Sequence, residues 1–153
     1  MKLYALRHGH APSIQEAKVK SDEERPLSAE GRRMVQKTME YLKSQGGSPE
    51  IILTSPLRRA KETAQEAQGV LKPSQGLKIY TPLANEISGE ELYLHIEKDM
   101  AKIKELILVG HQPQLGELAS YLTGQTFELK PGGAIALETN AGGKSRVLWH
   151  RNP

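Results

Sequence analysis

Apolar positions along this chain follow two patterns. Short, mostly apolar runs alternate with stretches in which apolar residues return every three or four positions. The runs fall at residues 3–6 (Leu-Tyr-Ala-Leu), 50–54 (Glu-Ile-Ile-Leu-Thr), 77–80 (Leu-Lys-Ile-Tyr) and 106–109 (Leu-Ile-Leu-Val). Each is far too short to span a bilayer and reads as a strand. The last is wholly apolar, which places it in the centre of a sheet. Between the runs, Met34, Val35, Thr38, Met39 and Leu42 share one helical face behind Ser28, a good N-cap, with Gly46-Gly47 as the stop. Ala60, Thr63, Ala64 and Ala67 form a small-residue stripe on a helix with Pro56 at its first position, followed by a loop over 69–76. Ser88 with Glu91 is a capping-box pattern, and Leu92, Ile96 and Met100 extend it to a helix over 89–104. Leu115, Leu118, Ala119 and Leu122 predict a helix started by Pro113 and ended by Gly124.

Two segments break the alternation. Residues 10–26 are polar and without period, predicting a long loop with a short helical piece around 14–19. Residues 134–138 and 145–150 predict a closing hairpin, with a turn at 140–143. Strand and helix otherwise alternate. The expected class is α/β, a three-layer α/β/α domain over residues 1–153 with a largely parallel central sheet.

Composition narrows the function more than the fold. The net charge of +3 is mild, and Lys and Arg do not cluster as they do in a nucleic-acid binder. The absence of cysteine excludes a disulfide framework, a thiolate nucleophile and a Cys-ligated zinc. The N-terminus has no signal-peptide apolar region, so a cytoplasmic protein without a membrane partner is expected. No coiled-coil pattern is present, and a monomer is expected.

The chemistry gathers at the strand ends. The first strand runs into Arg7-His8-Gly9. The second runs into Thr54-Ser55-Pro56 and a helix bearing Arg58 and Arg59. The fourth runs into Gly110-His111. Parallel strands would put all three ends on one rim, where ligands of open α/β sheets bind. Imidazoles and guanidiniums then converge there. Arg matches phosphate oxygens with a planar fork, a helix N-terminus adds N–H donors, and a His among such cations is the natural nucleophile toward phosphorus.

These blocks, Arg7-His8-Gly9, then Ser55-Pro56-x-x-Arg59-Ala60-x-x-Thr63-Ala64, then Val109-Gly110-His111, resemble the signature of the histidine phosphatase superfamily, with its phosphoglycerate mutase-like fold. Within it, Arg25-Pro26-Leu27-Ser28-x-x-Gly31 and Gly110-His111-Gln112-Pro113-Gln114-Leu115 resemble the SixA-type phosphohistidine phosphatases. Thr63 and His111 lie only 48 positions apart, leaving no room for the long insertion of the larger relatives and implying an open, shallow site. The resemblance implies that His8 attacks phosphorus and is transiently phosphorylated. Arg7, Arg59 and His111 would hold the phosphoryl oxygens, with no metal or other cofactor. It carries no role onto Arg58. Nearby cations favour a neutral His8, and a bound dianion opposes them. His111, expected to be charged when substrate binds, reads as an oxygen donor rather than the leaving-group acid. Glu86, in Leu83-Ala84-Asn85-Glu86, is the candidate acid if the substrate is an ester; imidazole leaves without one. Arg25, Gly9 and Ser55 are the candidate substrate-binding residues.

The substrate expected is phosphohistidine on a partner protein, such as a phosphotransfer domain. Small phosphate esters are the enzymatic alternative. A phosphate- or phosphoprotein-binding module with vestigial activity is the alternative from another class. Simpler readings stand beside these roles. Arg59 would be a surface residue paired with Glu62 or Glu66. Arg25 would orient the loop or pair with Asp22 or Glu23, and His10 would be a solvated loop residue. Trp149 would pack in the core or at the sheet edge.

Overall fold

Register brings the strand ends together. The structure is a computed structural model that describes residues 1–140 and 145–153. Its strands are β1 (Lys2–Arg7), β2 (Ile51–Thr54), β3 (Leu77–Ile79), β4 (Glu105–Gly110), β5 (Ala134–Glu138) and β6 (Arg146–Arg151). They form one sheet in the order β3-β2-β4-β1-β5-β6. β3, β2, β4 and β1 are parallel; β5 pairs antiparallel with both β1 and β6, so it alone is reversed. Arg7 lies opposite Gly110 and Thr54 opposite Val109, so β1, β2 and β4 end at nearly the same height. The ladder continues one step further, with His8 N–H donating to the Gly110 carbonyl and Ser55 N–H to the Val109 carbonyl, each at 3.0 Å. Residues 8, 55 and 111 therefore leave the sheet side by side.

Strand alternation divides the core. On one face Leu3, Ala5, Leu53, Leu106 and Leu108 pack with Leu92 and Ile96 of α4 (Gly89–Asp99) and Leu115 and Leu118 of α5 (Gln114–Thr123). On the other, Tyr4, Leu6, Ile52, Ile107 and Val109 pack with Val35, Met39 and Leu42 of α2 (Ala29–Ser44) and Ala60, Ala64 and Ala67 of α3 (Arg58–Leu71). The result is the expected three-layer α/β/α arrangement. The chain leaving β1 enters α2 on one face, and the chain leaving adjacent β4 enters α5 on the other. That divergence opens a crevice between their carboxyl ends.

Several boundaries differ from the sequence reading. Pro56 precedes the helix instead of opening it. The first helical carbonyl is that of Leu57, which accepts from Ala60 and Lys61, while Ser55 Oγ takes the Leu57 N–H. α3 continues through residues expected to be loop because Val70 and Leu71 still pack on the core. α4 stops at Asp99, not at 104. Met100 caps it, and the chain turns so that Lys104 N–H reaches Glu50 before β4 begins. The short piece in the first long loop is α1 (Ile14–Ala17), fixed by a Ser13–Glu16 capping box that the sequence reading did not identify. Residues 141–143 of the expected hairpin turn lie outside the described residues. Trp149 packs at the sheet edge, 5.0 Å from the Tyr41 ring in an edge-to-face contact.

One close approach sets the position of the first strand end. A Cβ on Gly9 would lie 2.8 Å from the Gly31 carbonyl, and one on Gly31 would lie 2.4 Å from the His10 carbonyl. The backbone after His8 thus passes directly over the first turn of α2. Ser28 ties the crossing down: its N–H donates to the His10 carbonyl at 2.9 Å, and its Oγ caps Gly31 N–H at 2.9 Å. Gly31 in the Arg-Pro-Leu-Ser segment is explained by this contact.

Candidate active site

The crevice is a cleft of about 650 Å³ whose walls include Arg7, His8, His10, Asp22, Arg25, Arg59, Glu86 and His111. The rings of His8 and His111 face each other with centroids 5.2 Å apart, tilted by 53°. Both are buried, His8 9% and His111 3% exposed.

His8 is held by its own turn. Nδ1 lies 2.8 Å from the Gly9 carbonyl oxygen, which can only accept. The proton therefore sits on Nδ1, and Nε2 carries a free lone pair. The turn is anchored in its turn by Thr63, whose Oγ1 accepts the Gly9 N–H at 3.0 Å and donates to the Arg59 carbonyl at 2.8 Å. Thr63 thereby links the nucleophile's backbone to the helix that carries Arg59. The sequence places Thr63 in a packing stripe and in the second signature block, without assigning it a contact.

Two guanidiniums complete the floor. Arg7 uses Nη1 on the Leu129 carbonyl at 2.8 Å. Arg59 uses Nη1 on the Asp22 carbonyl at 2.9 Å and Nη2 on its carboxylate at 3.0 Å. Among the described residues, the buried Nε–H groups of both arginines have no hydrogen-bond partner. Buried donors without partners are rare in folded proteins. Both side chains line one cleft, and two guanidiniums converging there suit an anion. Burial and the adjacent Arg59 also lower the Arg7 guanidinium from its usual range.

Burial is the main influence on the histidines. It pushes His8 down to about 3, opposed by the Gly9 carbonyl and aided by His111, Arg59 and Arg7. Burial likewise lowers His111 to about 4, aided by Arg59 and Arg7 and opposed by Asp22. Both rings are neutral at pH 7. The unfolded chain binds protons at these rings from about pH 6.5 downward, and the folded chain does so only near the lowered values. Stability is therefore full above pH 6.5 and is lost as pH falls, by about 2 kcal/mol per ring at pH 5. Denaturant titrations at pH 7.5 and 5.0 should show a His8→Asn chain losing less stability over that interval than the parent, by about this amount. Equal losses would mean that the folded His8 ring titrates normally.

At Ser55, Gly9 and Arg25 the structure departs from the substrate-contact reading; at Arg59 it departs only from the simpler surface-pair reading. Ser55 and Gly9, expected to bind substrate, are not in the cleft wall. Ser55 is fully buried, with Oγ 2.7 Å from His111 Nε2, and Gly9 is pinned against Gly31 and Leu27. Arg25 lines the cleft but uses three donors inside its own loop, on the Pro12 and Ala11 carbonyls and the Asp22 carboxylate. It shapes the loop over 10–26 rather than leaving its fork for a ligand. Arg59 pairs with Asp22, not with Glu62 or Glu66. Glu62 instead meets Arg58, and Glu66 meets Arg32. Burial of Asp22 is outweighed by hydrogen bonds from Arg25 and Arg59, which hold its carboxyl below the ordinary range. Its position three residues before Arg25 was the available signal, and it had been read only as one possible partner of Arg25. His10 is exposed at the mouth and bonds Ser28 Oγ at 2.8 Å. Glu86 stands exposed on the rim beside Asn85, whose left-handed backbone (φ 68°) is secured by side-chain bonds to Gln112 and Gln114.

Chemically, the arrangement offers one bare imidazole nitrogen in a cleft that it shares with two guanidiniums. Comparison with known proteins agrees. A chain from Picosynechococcus sp. (strain ATCC 27264 / PCC 7002 / PR-6), itself uncharacterized, is 36% identical over 98% of this chain and 90% of its own length. Phosphohistidine phosphatase SixA of Escherichia coli (strain K12) is 26% identical over 100% of this chain and 94% of its own. A solved structure of the protein histidine phosphatase SixA complexed with tungstate superposes with a TM-score of 0.87 at 22% identity, covering 100% and 97% of the two chains. The family model described as histidine phosphatase superfamily (branch 1) matches residues 3–92, which span β1 through the start of α4 and include His8 and Arg59, so the chain belongs to that superfamily.

Proposed function

We propose that the protein removes phosphoryl groups from phosphohistidine on a partner protein. The observation that carries this reading is the shape and chemistry of the cleft taken together. A bare Nε2 on His8 shares with the guanidinium-bearing Arg7 and Arg59 the lining of a cavity of about 650 Å³, far larger than a phosphoryl group. The remaining volume suits a side chain offered from a protein surface. The similarity to SixA over essentially both full lengths supports the same substrate class.

The reaction follows from the tautomers. His8 Nε2 donates its lone pair to phosphorus as the bond from phosphorus to the substrate imidazole breaks in line. Arg7, Arg59 and His111 hold the equatorial oxygens as charge spreads over them. The departing imidazole keeps its electron pair and takes a proton from solvent. Phosphorylated on Nε2, the His8 ring becomes cationic through its retained Nδ1–H, and the Gly9 carbonyl stabilises that charge. Water then attacks phosphorus, the bond to Nε2 breaks, and phosphate leaves a neutral ring.

Glu86 in the same cleft wall favours one competing reading, hydrolysis of small phosphate esters with Glu86 protonating an alkoxide leaving group. Steady-state kinetics of a Glu86→Gln chain separate the two. On a phosphohistidine protein, kcat/KM should stay within about twofold of the parent, while on an ester a general acid contributes roughly 10²-fold or more. A comparable fall on both substrates, with the ester preferred by the parent, would overturn the phosphohistidine reading.

A further inference from the structure

A serine hydroxyl has one hydrogen and two lone pairs. Ser55 Oγ lies 2.7 Å from His111 Nε2 and accepts the Leu57 N–H at 3.2 Å. Ser55 is fully buried. Among the described residues, the only acceptor within reach of its hydroxyl hydrogen is His111 Nε2. Had Nε2 a hydrogen of its own, the serine hydrogen would be buried with nothing to accept it, an arrangement folded proteins avoid. A neutral imidazole in water favours the opposite form, with its proton on Nε2, so the tautomer here has to be imposed.

We propose that Ser55 imposes it: by donating to Nε2 it holds the His111 proton on Nδ1, the ring edge left for the cleft, so that a neutral His111 presents an N–H to a phosphoryl oxygen. Ser55 is then a positioning residue acting through His111. The pairing with His8 explains how two neutral imidazoles 5.2 Å apart do opposite work. A backbone carbonyl at Nδ1 leaves His8 with a bare Nε2 for attack. A hydroxyl donor at Nε2 leaves His111 with a proton for binding. Burial, Arg59 and Arg7 favour the neutral ring that this device requires, and Asp22 opposes them. The donor role toward phosphate rests on the phosphatase reading; the tautomer does not.

Long-range proton–nitrogen correlation spectra of the ¹⁵N-labelled protein at pH 7.5 test the tautomer directly, with His111 signals assigned by their loss in a His111→Gln chain. The expected spectrum has a protonated Nδ1 and a bare Nε2. A protonated Nε2 on His111 in the parent chain would overturn the proposal without any Ser55 variant being made. Ser55→Ala should shift His111 toward the Nε2–H form and lower kcat roughly tenfold, below the 10²- to 10³-fold cost of removing an oxyanion donor outright, with KM little changed. Ser55→Thr, which keeps the hydroxyl, should keep the parent tautomer. Loss of rate in Ser55→Ala with the Nδ1–H form intact would refute the link between the two. The expected tautomer in a chain that turns over no phosphoryl substrate would support the Ser55 assignment and remove the phosphatase reading alone.

Discussion

Replacing His8 by Asn is expected to lower phosphatase turnover by roughly 10⁴-fold or more, the scale of losing a covalent nucleophile. Asparagine approximates the size of the ring and offers an amide toward the Gly9 carbonyl, but it has no lone pair able to attack phosphorus. The walls of the anion site do not depend on the ring. Arg7 remains on the Leu129 carbonyl and Arg59 on Asp22. Inorganic phosphate should therefore still bind the variant, measurable by calorimetry, with affinity within about tenfold of the parent. Binding without turnover would place His8 in the chemistry. Turnover persisting at a tenth of the parent rate would mean another group attacks.

Arg59→Ala should produce the second largest loss, roughly 10²- to 10³-fold in kcat/KM, because a buried preorganised cation is removed from where charge develops. Arg59→Lys should recover only part of it. A lysine restores the charge but not the planar, multi-donor fork that matches phosphate oxygens. Stability should change little by comparison. Asp22 is half exposed and keeps Arg25 at 3.1 Å when Arg59 is gone, so no buried charge is stranded. Thermal melts alongside the kinetics separate the two effects. A large drop in melting temperature with a matching loss of phosphate binding would mean that Arg59 holds the loop over 10–26 in place rather than the substrate.

The Arg59 contacts also show where the sequence was readable. Strand ends are legible because an apolar run followed by Arg-His-Gly or Gly-His has few other uses. Parallel pairing then forces residues 8, 55 and 111 together. The layers are legible for the same reason, since alternate residues of β1 and β4 must face different helices. What a one-dimensional pattern cannot carry is who satisfies a given polar group. Asp22 and Arg59 are 37 positions apart in sequence, and nothing in either segment names the other. The reading of Ser55 as a substrate contact failed similarly. Its neighbours in sequence are site residues, but its hydroxyl points to a ring 56 positions away. Helix boundaries failed where tertiary packing outweighed local signals, as when Val70 and Leu71 carried α3 past Gly69.

The proposed reaction passes through a covalent intermediate at one nitrogen. Mixing the protein with a phosphohistidine-bearing partner, quenching within milliseconds in alkali and mapping the modified peptide by mass spectrometry tests it most directly. The predicted result is an acid-labile, alkali-stable phosphoryl group on His8, formed faster than kcat and absent from the His8→Asn chain. Full turnover with no trapped phosphoryl group at any time, or one carried by His111 instead, would contradict it.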